Sequence, residues 1–240
     1  MLLLFQRGAR PDTAAISGAV SAIEAASISH MPGTSDSTEQ GWLEVVIDGL
    51  TFDIADLAPG PSAKMPEFKH RSDVTDQIAA PDLEAIRIVP GPHLNGGTYL
   101  LPILRGLLSL GCLIGQRLPG LVAYSWPPAL ALTSPEFFRA HAGAWAKGGP
   151  FPSLVLASFS EASDQGLQSS GLSVFTGQEL RLEPELTADP NEAKLLGGRL
   201  IAHLVMHGRV DEAEQFTGPD GHPLQLEPSK NGKFVRAWRG

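Results

Sequence analysis

The sequence predicts an α+β fold, with mixed, mostly antiparallel sheet and about four helices. Two observations predict it. Runs with a two-residue apolar period are interleaved with runs whose apolar residues fall three and four apart. An order of strand, helix and hairpin also occurs twice, which reads as two related β-α-β-β-type halves. The 240 residues are 42% hydrophobic and 18% charged, so the chain buries a core without help from disulfides or metal.

In chain order, residues 2–6 form a short apolar strand. Asp12 or Thr13 is placed to cap a helix from about Thr13 to Ser29, with Ile16, Val20 and Ile23 on one face. Residues 30–40 are rich in Gly, Ser and Thr and read as loop. Trp42–Ile47 and Leu50–Ile54 flank Asp48-Gly49, a two-residue connection typical of a type I′ hairpin because both positions take positive φ. Residues 55–83 carry Pro59, Pro61, Pro66 and Pro81 and read as irregular, with a short helix near Asp73–Ala79. The expected organisation is therefore an N-terminal half over 1–58, a linker or loop over 59–83 and a C-terminal half over 84–240, packed as one globular unit.

The second half begins with a strand at 85–89. The glycine turn Pro92-His93-Leu94-Asn95-Gly96-Gly97-Thr98 leads into an apolar helix over 98–116. A strand at 121–126 stops at Pro127-Pro128. Ser134 followed by Pro135 starts a helix that Gly148-Gly149 ends. Strands are predicted at 153–160, 171–175 and 179–183, then a helix over 190–207 ending at Gly208. The tail reads as a hairpin, 222–227 with 233–238, across Ser229-Lys230-Asn231-Gly232. Phe234 and Trp238 would then stand on a terminal strand open to pairing with another chain.

Charge and cysteine content narrow the function classes. A net charge of -8 repels phosphate backbones, so no nucleic-acid partner is expected. The single cysteine, Cys112, makes neither an internal disulfide nor a thiolate zinc site, which fits a cytoplasmic location. The leucine-rich stretch Tyr99–Gly115 carries Arg105 near its middle, which reads as a buried helix and not as a membrane span.

Trp126-Pro127, Ser134-Pro135-Glu136-Phe137-Phe138, Ala144-Trp145-Ala146-Lys147-Gly148-Gly149, Gly171-Leu172 and Phe175-Thr176-Gly177-Gln178-Glu179-Leu180 occur in that order before a helix ending at Gly208. In this, residues 122–210 resemble an uncharacterised bacterial family of unknown function. In the segment after the helix the chain departs from the family, because Asp211-Glu212-Ala213-Glu214-Gln215 holds no glycine. The resemblance implies a fold and no mechanism.

Few residues carry candidate chemistry. His203 and His207, four apart, share a helix face, but the residue after the first is Leu204 where a zinc protease needs glutamate. Cap or packing roles suit them better. Glu44, Asp53 and Asp56 read as a solvated sheet face, and Cys112 as a buried, inert thiol. The glycine turn is the best ligand-binding candidate, through His93, Asn95, Gly96, Gly97 and Thr98, because backbone N–H groups at a helix start attract anions. No metal or other cofactor is expected. The expected function is a protein-interaction or accessory module, non-enzymatic, acting on another protein or by self-association. The alternative is an anionic-ligand-binding protein or enzyme using the 91–98 turn.

Overall fold

Asp48 and Gly49 take φ values of 50° and 75°, as a type I′ turn requires. They join β3 (Leu43–Ile47) to β4 (Leu50–Ala55), with Glu44 directly opposite Asp53 and Val45 opposite Phe52. The computed structural model describes residues 1–32, 41–74, 82–218 and 220–240. They form two compact units, Met1–Pro127 with Leu132–Gly149, and Pro128–Ala131 with Pro150–Gly240. The 59–83 segment thus lies inside the first unit, and the units divide near residue 150.

The first unit holds an eight-stranded sheet. It is built from β1 (Leu2–Gln6), β2 (Ala26–His30), β3, β4, β5 (His70–Ser72), β6 (Leu83–Pro90), β7 (Leu121–Trp126) and β8 (Ala131–Thr133). Their spatial order is β2-β3-β4-β6-β1-β7-β8-β5. β1 is central and pairs antiparallel with β6 on one side and β7 on the other. Helices α1 (Thr13–Ser21), α2 (Leu101–Gly115) and α3 (Pro135–Ala146) complete the unit. Asp12 caps α1 by accepting from the Ala15 amide, and Ser134 caps α3 by accepting from Phe137.

The glycines of α2 let it lie close to the sheet. A methyl at Gly106 would stand 3.0 Å from the Phe52 ring, and one at Gly115 only 1.8 Å from the Tyr124 hydroxyl. Arg105, the charge inside this apolar helix, has its guanidinium 4.8 Å from the Trp145 ring centre on α3. Cys112 is buried and burial pushes its thiol up to about 12, so it stays protonated and inert. Among the described residues no helix is long and apolar enough to cross a membrane.

The opposite face of the sheet is covered only in part. Leu2, Leu4, Leu83, Ala85, Ala123 and Leu132 bury themselves there under Ala63, Met65, Phe68 and Val74 from the irregular segment. Ladder register places Glu44, Thr51, Asp53, Ala55, Arg87 and Val89 on this same face, beyond that cluster.

The second unit holds a six-stranded sheet in the order β12-β13-β14-β11-β10-β9. These are β9 (Ser158–Glu161), β10 (Leu167–Ser170), β11 (Glu179–Leu182), β12 (Glu214–Thr217), β13 (Pro223–Pro228) and β14 (Phe234–Arg239). β11 and β14 run parallel, and the other neighbours antiparallel. Two short helices, α4 (Ser153–Leu156) and α5 (Ser173–Thr176), and the long α6 (Pro190–His207) belong to it. Leu200, Ile201 and Leu204 of α6 pack with Leu180, Leu182, Leu226 and Val235 of the sheet. The α+β class, the mostly antiparallel sheets and, among the described residues, four helices of seven residues or more agree with the sequence.

Several elements differ from the expectation. The helix from Thr13 ends at Ser21, and Ala26–His30 is a strand instead. Pairing with β3 overrides the helical tendency of this alanine-rich stretch. The 153–160 run is split: α4 takes its first four residues and β9 starts at Ser158. Residues 173–176 are helical and the strand precedes them at 167–170, because Gly171 takes φ 101° and breaks the extended run. Phe234 and Trp238 lie on an interior strand, since β14 pairs with both β13 and β11. The short helix expected near Asp73–Ala79 lies mostly outside the described residues.

Candidate functional site

The uncovered part of the first sheet forms a groove of about 700 Å³. Strands β4 and β6 contribute Asp53, Ala55, Arg87 and Val89 to it, and the segment after β4 contributes Leu57, Pro59, Gly60 and Pro61. Trp42 and Pro92 complete the lining. These residues come from distant parts of the chain, and the antiparallel ladder makes them neighbours.

Arg10 holds the segment after β4 in place. Its side chain is only 6% exposed, and its guanidinium donates to the carbonyls of Asp56, Gly60 and Pro61. Three carbonyls on one planar donor fork fix both the height and the tilt of this wall. The Leu57 amide also bonds to Gly41 O at 2.9 Å, and the Ala58 amide to Pro11 O at 3.0 Å.

The charges of the groove are unevenly matched. Arg87 lies 3.3 Å from Asp56. Asp53 stands opposite Glu44 in the ladder, and like charges so placed repel. Glu44 accepts from the Ser29 hydroxyl at 2.5 Å. Burial, and then the Glu44 carboxylate, push the Asp53 carboxyl above its usual range, against His93 and Arg87, which pull it down. Buried oxygens of Asp53 (Oδ1) and Asp56 (Oδ2) have no hydrogen-bond partner among the described residues. Of the three carboxylates singled out in the sequence, Asp53 and Asp56 thus line the groove, and Glu44 stands opposite Asp53 in the ladder.

The 91–98 turn reaches this groove by one end. Pro92–Gly97 form a 3₁₀ turn between β6 and α2. His93 Nε2 lies 2.7 Å from Thr51 Oγ1 on β4. A Cβ at Gly97 would meet Leu100 at 2.9 Å, so Gly97 permits packing, whereas one at Gly96 would meet nothing. Thr98 follows as the cap of the turn, and Asn95 lies within it. Amides of Leu94 and Leu100 are used inside the turn, on the carbonyls of Gly91 and Gly97. The structure therefore gathers His93, but not the rest of the turn, with the carboxylates.

No family model, curated protein or solved structure matches the chain. What the fold does explain is why Thr176-Gly177-Gln178-Glu179-Leu180 stands out. Gln178 is fully buried and exchanges two hydrogen bonds with the Val210 backbone, at 3.0 and 2.9 Å. The Glu179 carboxylate accepts from the amides of Gly171, Leu172 and Ser173 and from the Ser169 hydroxyl. These side chains organise the second unit, and their polar atoms are occupied in doing so.

His203 and His207 of α6 have stacked rings 4.0 Å apart, with Glu214 Oε1 3.8 Å from His203. Burial lowers the His203 pKa, and His207 lowers it further. His207 Nδ1 lies 2.9 Å from the His203 carbonyl, a local contact at the helix end. Among the described residues no three His, Cys, Asp or Glu side chains are grouped to hold a metal.

Trp42, Arg10 and Arg87 were not singled out as site residues in the sequence. A tryptophan just before a hairpin is the signal that was open to reading. Nothing local marked the two arginines.

Asp53→Asn is expected to stabilise the chain at neutral pH. The folded state raises this carboxyl, so its contribution is fully present below the unfolded value and is lost as pH rises through the folded one. Urea midpoints measured from pH 4 to pH 8 test this. The gain should appear on the neutral side and shrink towards acid; a variant less stable at pH 7 would contradict it.

Proposed function

We propose that the chain is a non-enzymatic recognition module of a bacterial cytoplasmic system, and that it binds a segment of a partner protein in the groove of its first unit. The observation that supports this most is the buried Oδ1 of Asp53, without a hydrogen-bond partner among the described residues at a groove lined by Trp42, beside Asp56 Oδ2, which meets only the Arg87 guanidinium. Buried polar atoms are costly unless bonded, and native folds rarely leave them so without a use. Hydrogen-bond donors on a partner would satisfy them. Trp42 offers a rigid aromatic contact of the type that dominates interface energies, and the prolines keep the wall stiff.

The polar groups around the groove are arranged to hold shape more than to move protons. Arg10 ties the wall, Arg87 faces Asp56, Ser29 steadies Glu44 and Thr51 steadies His93. A photo-crosslinking residue at Val89, in the groove, should form an adduct with one polypeptide in a lysate of the native host. The same residue at Lys194, in the second unit, should not. Trp42→Ala should reduce the Val89 adduct at least tenfold, about 1.4 kcal/mol of binding. If the adduct is this chain itself, the partner is a second copy. No adduct from Val89, or an equal adduct in the Trp42→Ala variant, would overturn the reading.

A further inference from the structure

A second cavity, of about 410 Å³, lies in the second unit where the start of α6 meets β13 and β14. Its apolar lining comes from Leu186, Leu196 and Leu224, and Leu195 stands at it with 66% of its surface exposed. Leu186 and Leu224 belong to the buried core of the unit and Leu196 packs against it, so the cavity reaches down to the core. That volume is within the range of small-ligand pockets.

Six charged side chains line the cavity, and four of them are already engaged. Asp189 caps α6, accepting from the amides of Asn191 and Glu192 at 2.8 and 3.1 Å. Glu185 accepts from the Arg239 amide at 2.6 Å, and Asp220 pairs with the Arg239 guanidinium at 3.2 Å. Glu192 and Arg199 remain. Both are exposed, and among the described residues neither side chain makes an ion pair. They are seven apart on α6, so they share a face, about 10 Å apart along the axis. Leu195 and Leu196 lie between them. The cavity thus offers an apolar floor, an acid at one end and a guanidinium at the other.

We infer that this cavity is a binding site for a zwitterion with an apolar body, its ammonium at Glu192, its carboxylate at Arg199 and its aliphatic or aromatic part on the three leucines. Two sources carry this chemistry, a free apolar amino acid and a short apolar peptide with free ends. A singly charged amphiphile suits the site less well. An anion would face the acidic end, and a cation would leave Arg199 without a counter-charge. A guanidinium takes a carboxylate through two parallel hydrogen bonds, which fixes the direction of the ligand.

The test uses the full chain and isothermal titration with L-leucine and L-leucyl-L-leucine. Leucinamide, which lacks the carboxylate, and 4-methylpentanoate, which lacks the ammonium, serve as controls. Saturable binding of at least one zwitterion is expected, at least tenfold tighter than either control. Tighter binding of the dipeptide identifies a peptide as the ligand, and tighter binding of leucine a free amino acid. Arg199→Gln should weaken the zwitterion at least tenfold and leave leucinamide unchanged, and Glu192→Gln should weaken leucinamide. Both positions are exposed, so the variants are expected to keep the parent's thermal midpoint, which checks their folding. No saturable binding at millimolar concentration, equal binding of the controls, or unchanged affinity in both variants would overturn the inference.

Discussion

Glu179→Ala is expected to remove about 4 kcal/mol of stability from the second unit. The carboxylate accepts three amide hydrogen bonds, from Gly171, Leu172 and Ser173, and one from the Ser169 hydroxyl at 2.5 Å. Hydrogen bonds to a charged group are worth about 1.5–3 kcal/mol each, and donors left unpaired on burial cost about as much again. Solvent reaching the loop in the variant offsets part of that sum. Ser169 is buried and also accepts from the Leu180 amide at 2.7 Å, so the loss spreads into β10 and β11. Glu179→Gln keeps the shape but turns an amide N–H₂ towards donors, and should cost about half as much. Chemical denaturation measures the total. Hydrogen exchange over 167–182 should show protection lost there first. A change below about 1 kcal/mol in Glu179→Ala would refute this account.

Gly115→Ala should cost about 3 kcal/mol, at the upper end for overpacking a core. The added methyl would stand 1.8 Å from the Tyr124 hydroxyl and 2.8 Å from Leu121 Cδ2. Tyr124 has no room to turn aside. Its ring stacks on Phe138 at 3.9 Å, and its hydroxyl donates to the Gly111 carbonyl at 3.1 Å. Tyr124→Phe removes the atom nearest the clash, so Gly115→Ala should cost less in that background. A double-mutant cycle reads the coupling, expected between about 0.5 and 3 kcal/mol. Additive effects would mean that the helix moves away from the sheet instead.

How far the fold was legible in the sequence follows from which signals are local. Asp48-Gly49 specified its hairpin because few other dipeptides accept two positive φ values in succession. Asp12 and Ser134 marked their helices because each accepts an amide of its own first turn, whereas the cap of the last helix, Asp189, was not read from the sequence. Ala26–His30 failed for the opposite reason, since only β3 makes it a strand. Ser153–Ser160 failed because a short apolar run suits a buried helical turn as well as a strand.

The groove was less legible than any element. Asp53 and Glu44 were visible as carboxylates, and their direct opposition follows from the hairpin register. Arg87 joins them only once β6 pairs with β4, and Arg10 only once the segment over 56–61 folds back to it. The 91–98 turn was prominent because glycines are conspicuous, yet the packing of Gly97 against Leu100 is sufficient reason for one of them.

The position of β1 has a consequence for biosynthesis. Residues 2–5 are Leu, Leu, Leu and Phe, all buried, and their strand partners are β6, some 80 residues later, and β7, some 120 later. During translation this segment leaves the ribosome well before either neighbour exists. It must wait as an unpaired, strongly apolar strand, the kind of segment that seeds aggregation. Closing the sheet around it is a long-range event, which slows folding. Yield in a cell should therefore depend on synthesis rate and on holdase chaperones more than the stability of the finished chain would suggest.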